Sequence, residues 1–287
     1  MQFLQFYSED GRIRPGVAEA DRIRMLGTET LLEYIALAPH ERIAWHTGDT
    51  LPLAGARLAA PVIPRRNVFC VGRNYLEHAK EGADVFGKEL KLPEVPTFFT
   101  KAPSAIADPG ADVHLQAAVS SEYDYEAELG VVIGTRCKDV READALGVIF
   151  GYTCVNDVTA RDLQRAHLQW FKGKSLDETC PIGPWIVSAD EFHASDGINH
   201  AQHLAIGMEI NGVQKQHSST EKMIFSIPRL IAELSKGMTL EPGDVIATGT
   251  PEGVGFARKP PEFLRDGDVM EIEIEKIGTL RNRVRIR

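Results

Sequence analysis

Apolar positions along this chain fall mostly in short runs rather than at helical spacing. NVFCVG, PTFFTK, ELGVVIG, GVIFGYTCV, GPWIVS, AIGMEING and DVIATG are β-branched or aromatic stretches separated by Gly, Pro and Asp turns. That texture predicts strands. From Asn67 onward it implies an α+β, predominantly β domain, residues 67–287, built on mixed sheets with few helices. Residues 1–66 read as a small α/β unit of their own. LQFYSEDGRIRPGVA predicts two strands around a Glu-Asp-Gly turn, and Thr28 to Ala38 a short helix. Thr30 with Glu33 three residues later forms a capping-box pattern at that helix. LPLAGARLAAPVIPRR, with Pro52, Pro61 and Pro64, reads as a linker into the larger domain.

Two further helices are expected. Thr159 to Phe171 places Leu163, Ala166 and Trp170 on one face. Lys222 to Ser235 is the second, with Pro228 limiting its regularity. Glu241-Pro-Gly-Asp-Val and Arg265-Asp-Gly-Asp-Val each set a turn before a strand, and both read as hairpin entries.

Composition adds exclusions. At 43% hydrophobic and 25% charged over 287 residues, the chain is of the ordinary soluble globular kind. No apolar stretch approaches the roughly 18 residues of a membrane span, and MQFLQFYSEDGRIRPG lacks a secretory leader's basic and apolar regions. The four cysteines, Cys70, Cys137, Cys154 and Cys180, show no CxxC or zinc spacing. They read as reduced, buried thiols of a cytoplasmic protein. Lys and Arg number 32 against 41 Asp and Glu, a net charge of −9. Nucleic acid and membrane surfaces are excluded as partners, since both need a basic field. The open question is whether some surplus carboxylates converge.

SSEYDYEAELGVVIG, residues 120–134, addresses it. In a strand, residues i and i+2 share a face, so Glu122, Asp124, Glu126 and Glu128 line one side and Tyr123, Tyr125, Ala127 and Leu129 the other. One reading is a solvated acidic face. The other is a cation site, because like charges carried into the apolar GVVIG run repel unless a cation joins them. Hard oxygen ligands select Mg²⁺ or Mn²⁺, with Ca²⁺ as a substitute. Asp157, at the end of the apolar run Gly147–Val155, could be a third ligand or a simple N-cap.

Three more groups carry candidate chemistry. In Gly72-Arg-Asn-Tyr-Leu-Glu-His-Ala-Lys-Glu81, His78 and Glu81 are one helical turn apart, as a solvated pair or as an oriented general base. Gly72, Gly82 and Gly87 around them would allow a closing lid, and Tyr75 in the same segment is a candidate substrate contact. Arg161, Gln164 and Lys174 are either a basic surface or donors to an oxyanion. Ala247-Thr-Gly-Thr-Pro-Glu-Gly-Val-Gly255 either presents Thr250 and backbone N–H groups to a carboxylate or is a long turn. P-loop, GxGxxG, HExxH and GxSxG motifs are absent.

VGRNYLEHAKE, PTFFTKAPSAI, DYEAELGVVIG, GYTCVNDVTARDLQ, KGKSLDETCPIGP and GDVIATGTPEGVG occur in one order across Asn67 to Arg287. In that order they resemble the fumarylacetoacetate hydrolase family, in its acylpyruvase-like branch. The resemblance implies a mixed β-sandwich roll, usually homodimeric, that binds Mg²⁺ or Mn²⁺. It places the metal on Glu126, Glu128 and Asp157, the lid dyad on His78 and Glu81, and further catalytic groups on Gln164 and Lys174. Arg161, Thr250 and Tyr75 become substrate contacts. The N-terminal 66 residues match only the longer members of the family.

The implied partner is a small 2-oxo acid, and the implied reaction is hydrolysis of a 2,4-dioxo acid to a carboxylic acid and pyruvate. The dyad would activate water, and the metal would offset charge on the departing enolate. Oxaloacetate-type decarboxylation and hydroxymuconate-type isomerisation would use the same site. A metal-stabilised binding module without catalysis is the alternative of another class. The net charge of −9 gives no attraction for an anionic keto acid, so Arg161, Lys174 and the metal must supply it locally.

Overall fold

The computed structural model describes residues 1–42, 46–85, 87, 89–192 and 200–287. ELGVVIG lies at the centre because nothing polar interrupts it after Glu128. Ala127–Ile133 is buried at every position, as in strands covered on both faces. It pairs antiparallel with Ile149–Asn156 on one side and Val245–Ala247 on the other. Among the described residues twelve strands join this sheet. Its main path runs His46–Pro52, Arg22–Leu26, Ile13–Glu19, Gln2–Tyr7, Cys180–Ser188, Ile149–Asn156, Ala127–Ile133, Val245–Ala247, Val68–Gly72 and Thr97–Lys101.

A five-stranded sheet covers one face, in the order Val213–Ser219, Ala205–Ile210, Val269–Ile274, Gly278–Ile286, Asp112–Leu115. Its strands alternate as half-buried strands should; in VMEIEI, Met270, Ile272 and Ile274 turn inward. They meet Leu129, Val131, Tyr152 and Cys154 of the large sheet in one apolar cluster. The architecture is therefore the expected α+β, predominantly β sandwich. No described helix is long and apolar enough to cross a membrane.

In the first 66 residues, Gln2–Tyr7 and Ile13–Glu19 pair around the expected turn. Thr30 caps Leu31–Ala36, and Glu33 returns the capping-box bond. Gln2–Tyr7 also pairs with Cys180–Ser188, Gln2 opposite Val187, so the sheet runs on through this segment. The Pro-rich stretch is held against it. Leu58–Ala59 pairs with Gln2–Tyr7, Ala59, Ala60 and Val62 are buried, and Gln5 Nε2 donates to the Ala60 carbonyl.

Three local expectations are corrected. Thr159–Phe171 is not one helix: Thr159–Ala160 is a strand against Tyr123–Asp124, followed by the helices Arg161–Ala166 and Phe171–Lys174. Ala166 and Leu168 are exposed while Trp170 is half-buried, so there is no common apolar face. Trp170 instead closes over Gly72, where a Cβ would stand 2.5 Å from its Cζ3 atom. The later helix begins at Ile227, capped by Ser226, with Pro228 in its first turn. There a missing N–H removes no intrahelical bond. Lys222 belongs to a separate 3₁₀ turn, Thr220–Lys222. Finally, Val269–Ile274 does enter a hairpin, with Gly278–Ile286, but Val245–Ala247 inserts between Ala127–Ile133 and Val68–Gly72. Of the cysteines, Cys70, Cys154 and Cys180 are buried and Cys137 half-buried, all as free thiols.

Candidate active site

The acidic segment is not one strand. Tyr123–Asp124 pairs with Thr159–Ala160, and a new strand begins at Ala127, opposite Asn156. The two-residue alternation expected from 122 to 129 breaks between them, and from Tyr123 onward both would-be faces end in the interior, while Glu122 stays half-exposed against Arg165. Asp124, Glu126 and Glu128 are 0%, 4% and 1% exposed, which removes the solvated-face reading. Buried carboxylates require partners.

The strand pairing brings Asp157 beside them: its N–H donates to the Glu126 carbonyl at 2.9 Å. The Glu126 N–H in turn donates to Asn156 Oδ1 at 3.2 Å. Glu126, Glu128 and Asp157 thereby gather carboxylate oxygens that all lie within 4.8 Å of one another. Asp124 stands apart. It accepts from the Gly255 and Phe256 N–H groups at 2.7 and 3.0 Å and from Arg161 Nε at 2.8 Å.

Three buried cations face the four acids. Lys174 Nζ bridges Glu126 Oε2 at 2.8 Å and Asp157 Oδ2 at 2.6 Å. Lys101 Nζ donates to Asp157 Oδ1 at 2.7 Å and to the Val158 carbonyl at 2.9 Å. Arg161 Nη2 lies 2.7 Å from Glu126 Oε1, but its N–H directions miss the oxygen. Among the described residues, Nη2 is thus a buried polar atom without a hydrogen-bond partner, as is the Tyr75 hydroxyl.

The protonation preferences follow this arrangement. Burial would raise the Glu126 carboxyl, but Lys174, Arg161 and His78 outweigh it and hold it down to about 2. Glu128 has the Gly249 N–H at 2.8 Å and, among the described residues, no cation in contact. Burial first, then Asp157 and Glu126, push its carboxyl well above the ordinary range. Burial opposes the Lys174 charge, yet Asp157 and Glu126 raise its pKa. Four acids against three cations leave Glu128 without a counter-ion, so its ionised form is an uncompensated buried charge. A hard divalent cation would neutralise it, and the all-oxygen donor set fits Mg²⁺, Mn²⁺ or Ca²⁺.

A stability prediction arises here. A carboxyl whose folded-state pKa is raised favours the fold below its unfolded value and withdraws that stability as pH rises through the folded value. Metal-free Glu128→Gln should therefore melt above the unsubstituted protein at pH 8, with the gap closing toward pH 4. Added Mg²⁺ should raise the melting temperature of the unsubstituted protein more than that of the variant. Equal melting curves at pH 8 in chelator would refute the uncompensated charge.

His78 and Glu81 lie on the helix Leu76–Val85. His78 Nδ1 is 2.8 Å from Glu81 Oε1, and Glu81 Oε2 accepts the Gly253 N–H at 3.0 Å. A carboxylate only accepts, so the Nδ1 proton faces Glu81 and Nε2 is left as a base. Gln164 Oε1 accepts from Arg161 Nη1 at 3.1 Å, which keeps the two on one side as the spacing implies. Thr250 is buried, and its Oγ1 accepts from Gln216 Nε2 at 2.8 Å. Its hydroxyl proton can then be donated elsewhere.

Three amides of the Gly-rich loop are already engaged by the protein's own acids. Gly249, Gly253 and Gly255 direct their N–H groups to Glu128, Glu81 and Asp124, so the loop orients the acids. Gly249 and Gly253 hold positive φ, 100° and 98°, which glycine alone adopts at little cost.

Sequence reasoning missed Lys101, Asp124's separate duty, and Asn74. The Asn74 side chain donates to the carbonyls of Phe225 and Thr248 at 3.1 and 2.8 Å. It also accepts the Phe225 N–H at 2.8 Å, tying the helix entry to the loop. Lys101 left one signal, a cation closing the apolar run PTFFTK.

The family model described as fumarylacetoacetate (FAA) hydrolase C-terminal matches residues 67–285. Oxaloacetate tautomerase YisK of Bacillus subtilis is 48% identical over 233 residues, 81% of this chain and 74% of that protein. A 2,4-didehydro-3-deoxy-L-rhamnonate hydrolase from Sphingomonas is 39% identical over 292 residues, 99% of this chain and 96% of that one. A solved fumarylacetoacetate hydrolase from Exiguobacterium antarcticum superposes with a TM-score of 0.85 at 41% identity, over 100% of both chains.

Proposed function

The chain belongs to the fumarylacetoacetate hydrolase family, and on that premise we propose that it hydrolyses a carbon–carbon bond of an acylpyruvate-type 2,4-dioxo acid. One observation carries the reading. A His–Glu pair with an open Nε2 stands beside a buried three-carboxylate cation site, close enough for His78 to lower the Glu126 carboxyl. Similarity over almost the whole chain to a protein named for a 2,4-didehydro-3-deoxy sugar acid supports it, since that name describes a 2,4-dioxo acid.

Glu126, Glu128 and Asp157 would hold Mg²⁺ or Mn²⁺, which when bound supplies Lewis acidity toward the oxygens of a 2-oxo acid. The chain's own groups do the rest. His78 Nε2 takes a proton from water as its oxygen adds to the C4 carbonyl. Lys174 and Gln164 stand as donors for the oxyanion formed at C4. The C3–C4 bond then breaks, its electron pair passes to C3 of the pyruvate enolate, and the proton on His78 returns there. Arg161 Nη2 and the Thr250 hydroxyl are donors available to the substrate carboxylate.

A second reading rests on the tautomerase relative. Proton transfer at C3 without water addition would interconvert the enol and keto forms of oxaloacetate at the same groups. Acetylpyruvate and oxaloacetate assayed side by side, with Mg²⁺ or Mn²⁺ and then with chelator, separate the two. We expect metal-dependent release of acetate and pyruvate from acetylpyruvate. Accelerated oxaloacetate enol–keto exchange without cleavage of acetylpyruvate would replace hydrolysis by tautomerisation. Inactivity on both would leave the binding module.

A further inference from the structure

The five-stranded sheet reaches the site through one side chain. In its edge strand Val213–Ser219, Gln216 pairs with Met208 and Gln214 with Glu209, which leaves Lys215 as the extra residue of a bulge. A bulge re-aims the side chains beside it. Gln216, opposite the inward-facing Met208, is 1% exposed. It is a polar group on the face where a half-buried strand carries apolar ones. The bulge also lies against the glycine loop. The Lys215 carbonyl leaves no room for a Cβ at Gly253, and it accepts from Arg258 Nη2 at 2.8 Å.

Gln216 uses both ends of its amide there. Oε1 accepts the Ala127 N–H at 2.9 Å, and Nε2 donates to Thr250 Oγ1 and to the Pro251 carbonyl, both at 2.8 Å. An N–H group only donates and a carbonyl only accepts, so these partners fix which end of the amide is which. Thr250 Oγ1 therefore receives a proton, and its own must point elsewhere. Among the described residues no acceptor takes it. Both ends of the bridge belong to the site. Ala127 lies between Glu126 and Glu128, two of the converging acids. Thr250 follows Gly249, whose N–H holds Glu128. One planar amide thus spans the strand of the acids and the loop hydroxyl, and sets both the spacing and the hydrogen-bond direction of Thr250.

We propose that Gln216 is a positioning residue. Held by the Ala127 N–H, it donates to Thr250 Oγ1 and so aims the Thr250 proton at the carboxylate of a 2-oxo acid bound at the acidic cluster. The inference rests on the hydrolase reading above and adds to it a residue from the second sheet that acts without touching substrate. A carboxylate held equally in the ground and transition states changes KM and leaves kcat. Gln216 therefore acts on binding, not on the chemical step.

The test is a double-substitution cycle of Gln216→Met and Thr250→Val, changes that keep the size of each side chain. It is read in Mg²⁺ as kcat and KM for acetylpyruvate and as calorimetric Kd for oxalate, a non-reacting mimic of a 2-oxo acid. Thr250→Val should raise KM and the oxalate Kd about tenfold or more, the scale of one hydrogen bond to a charged group. Gln216→Met should raise both about five- to tenfold, with kcat and Mn²⁺ affinity held within about threefold. In the Thr250→Val background it should add less than about twofold, because the group it acts through is gone. In Thr250→Ser, which retains a hydroxyl, the sensitivity to Gln216→Met should return. No rise in KM and Kd, an equal rise with and without the Thr250 hydroxyl, or a fall in kcat and Mn²⁺ affinity instead would assign Gln216 to packing and overturn the proposal. If Gln216→Met does not fold, Gln216→Glu keeps an acceptor for Ala127 and runs the same cycle with the same outcomes. Inactivity of the unsubstituted protein on acetylpyruvate would overturn the hydrolase reading alone, and the oxalate cycle would still decide the role of Gln216. Failure of the unsubstituted protein to bind oxalate as well would overturn both.

Discussion

Glu126→Gln is expected to lose Mg²⁺ or Mn²⁺ affinity and turnover together, each by about 10²-fold or more. Changes in groups that merely support metal ligands already cost about 10- to 100-fold, and Glu126 is itself one of the three converging carboxylates. The substitution also places an amide where Lys174 and Arg161 each find an anionic oxygen at 2.8 and 2.7 Å. An amide satisfies one of these cations, so the other faces an N–H group, and the three acids that remain, Asp124, Glu128 and Asp157, only balance the three buried cations and leave no surplus charge for a metal. Titration calorimetry with Mn²⁺ and a parallel acetylpyruvate assay measure the two losses. A folded variant with undiminished Mn²⁺ affinity would remove Glu126 from the metal site.

His78→Ala is expected to separate what Glu126→Gln joins. His78 is half-buried on a surface-facing helix turn and touches Glu81, not the carboxylate oxygens that converge. Metal affinity should hold within a few-fold, while kcat falls by about 10²- to 10⁴-fold, the usual contribution of a positioned base. Glu81→Gln should show a smaller fall of the same kind, because an amide can still accept from Nδ1 but no longer favours the imidazolium formed during catalysis. Melting temperatures should change little in either variant. Normal kcat in His78→Ala would overturn the assignment of the base, whatever its metal content.

The elements legible in the sequence were those decided by neighbours a turn or less apart. Thr30 and Glu33 close a capping box and His78 reaches Glu81, each because an i, i+3 offset on a helix leaves one geometry. ELGVVIG could be read as a strand running into an apolar stretch, and such an uninterrupted run is stable only when covered on both sides. The acidic segment misled through the same logic. A strict alternation assumes one strand, and nothing local announces that Asp124 will leave with Thr159 while Ala127 joins Asn156. The helix expected from Thr159 failed for the corresponding reason, since pairing with Tyr123 overrode its local pattern.

By itself the sequence determined the strand-rich class, the order of the motifs and the residue types able to hold a hard cation. Those depend on side-chain chemistry and on periodicity, which are local. The tertiary structure alone decided which carboxylates share a centre. Glu126 and Asp157 are thirty-one positions apart in number but adjacent through one backbone hydrogen bond. Asp124, two residues from Glu126, is drawn off by the amides of Gly255 and Phe256. It likewise decided that Lys101 buttresses Asp157 and that the glycine loop holds the protein's own acids. The physical reason is the same in each case. A buried charge takes whichever partner the packed strands bring within about 3 Å, and sheet pairing between distant segments, not spacing along the chain, sets that list.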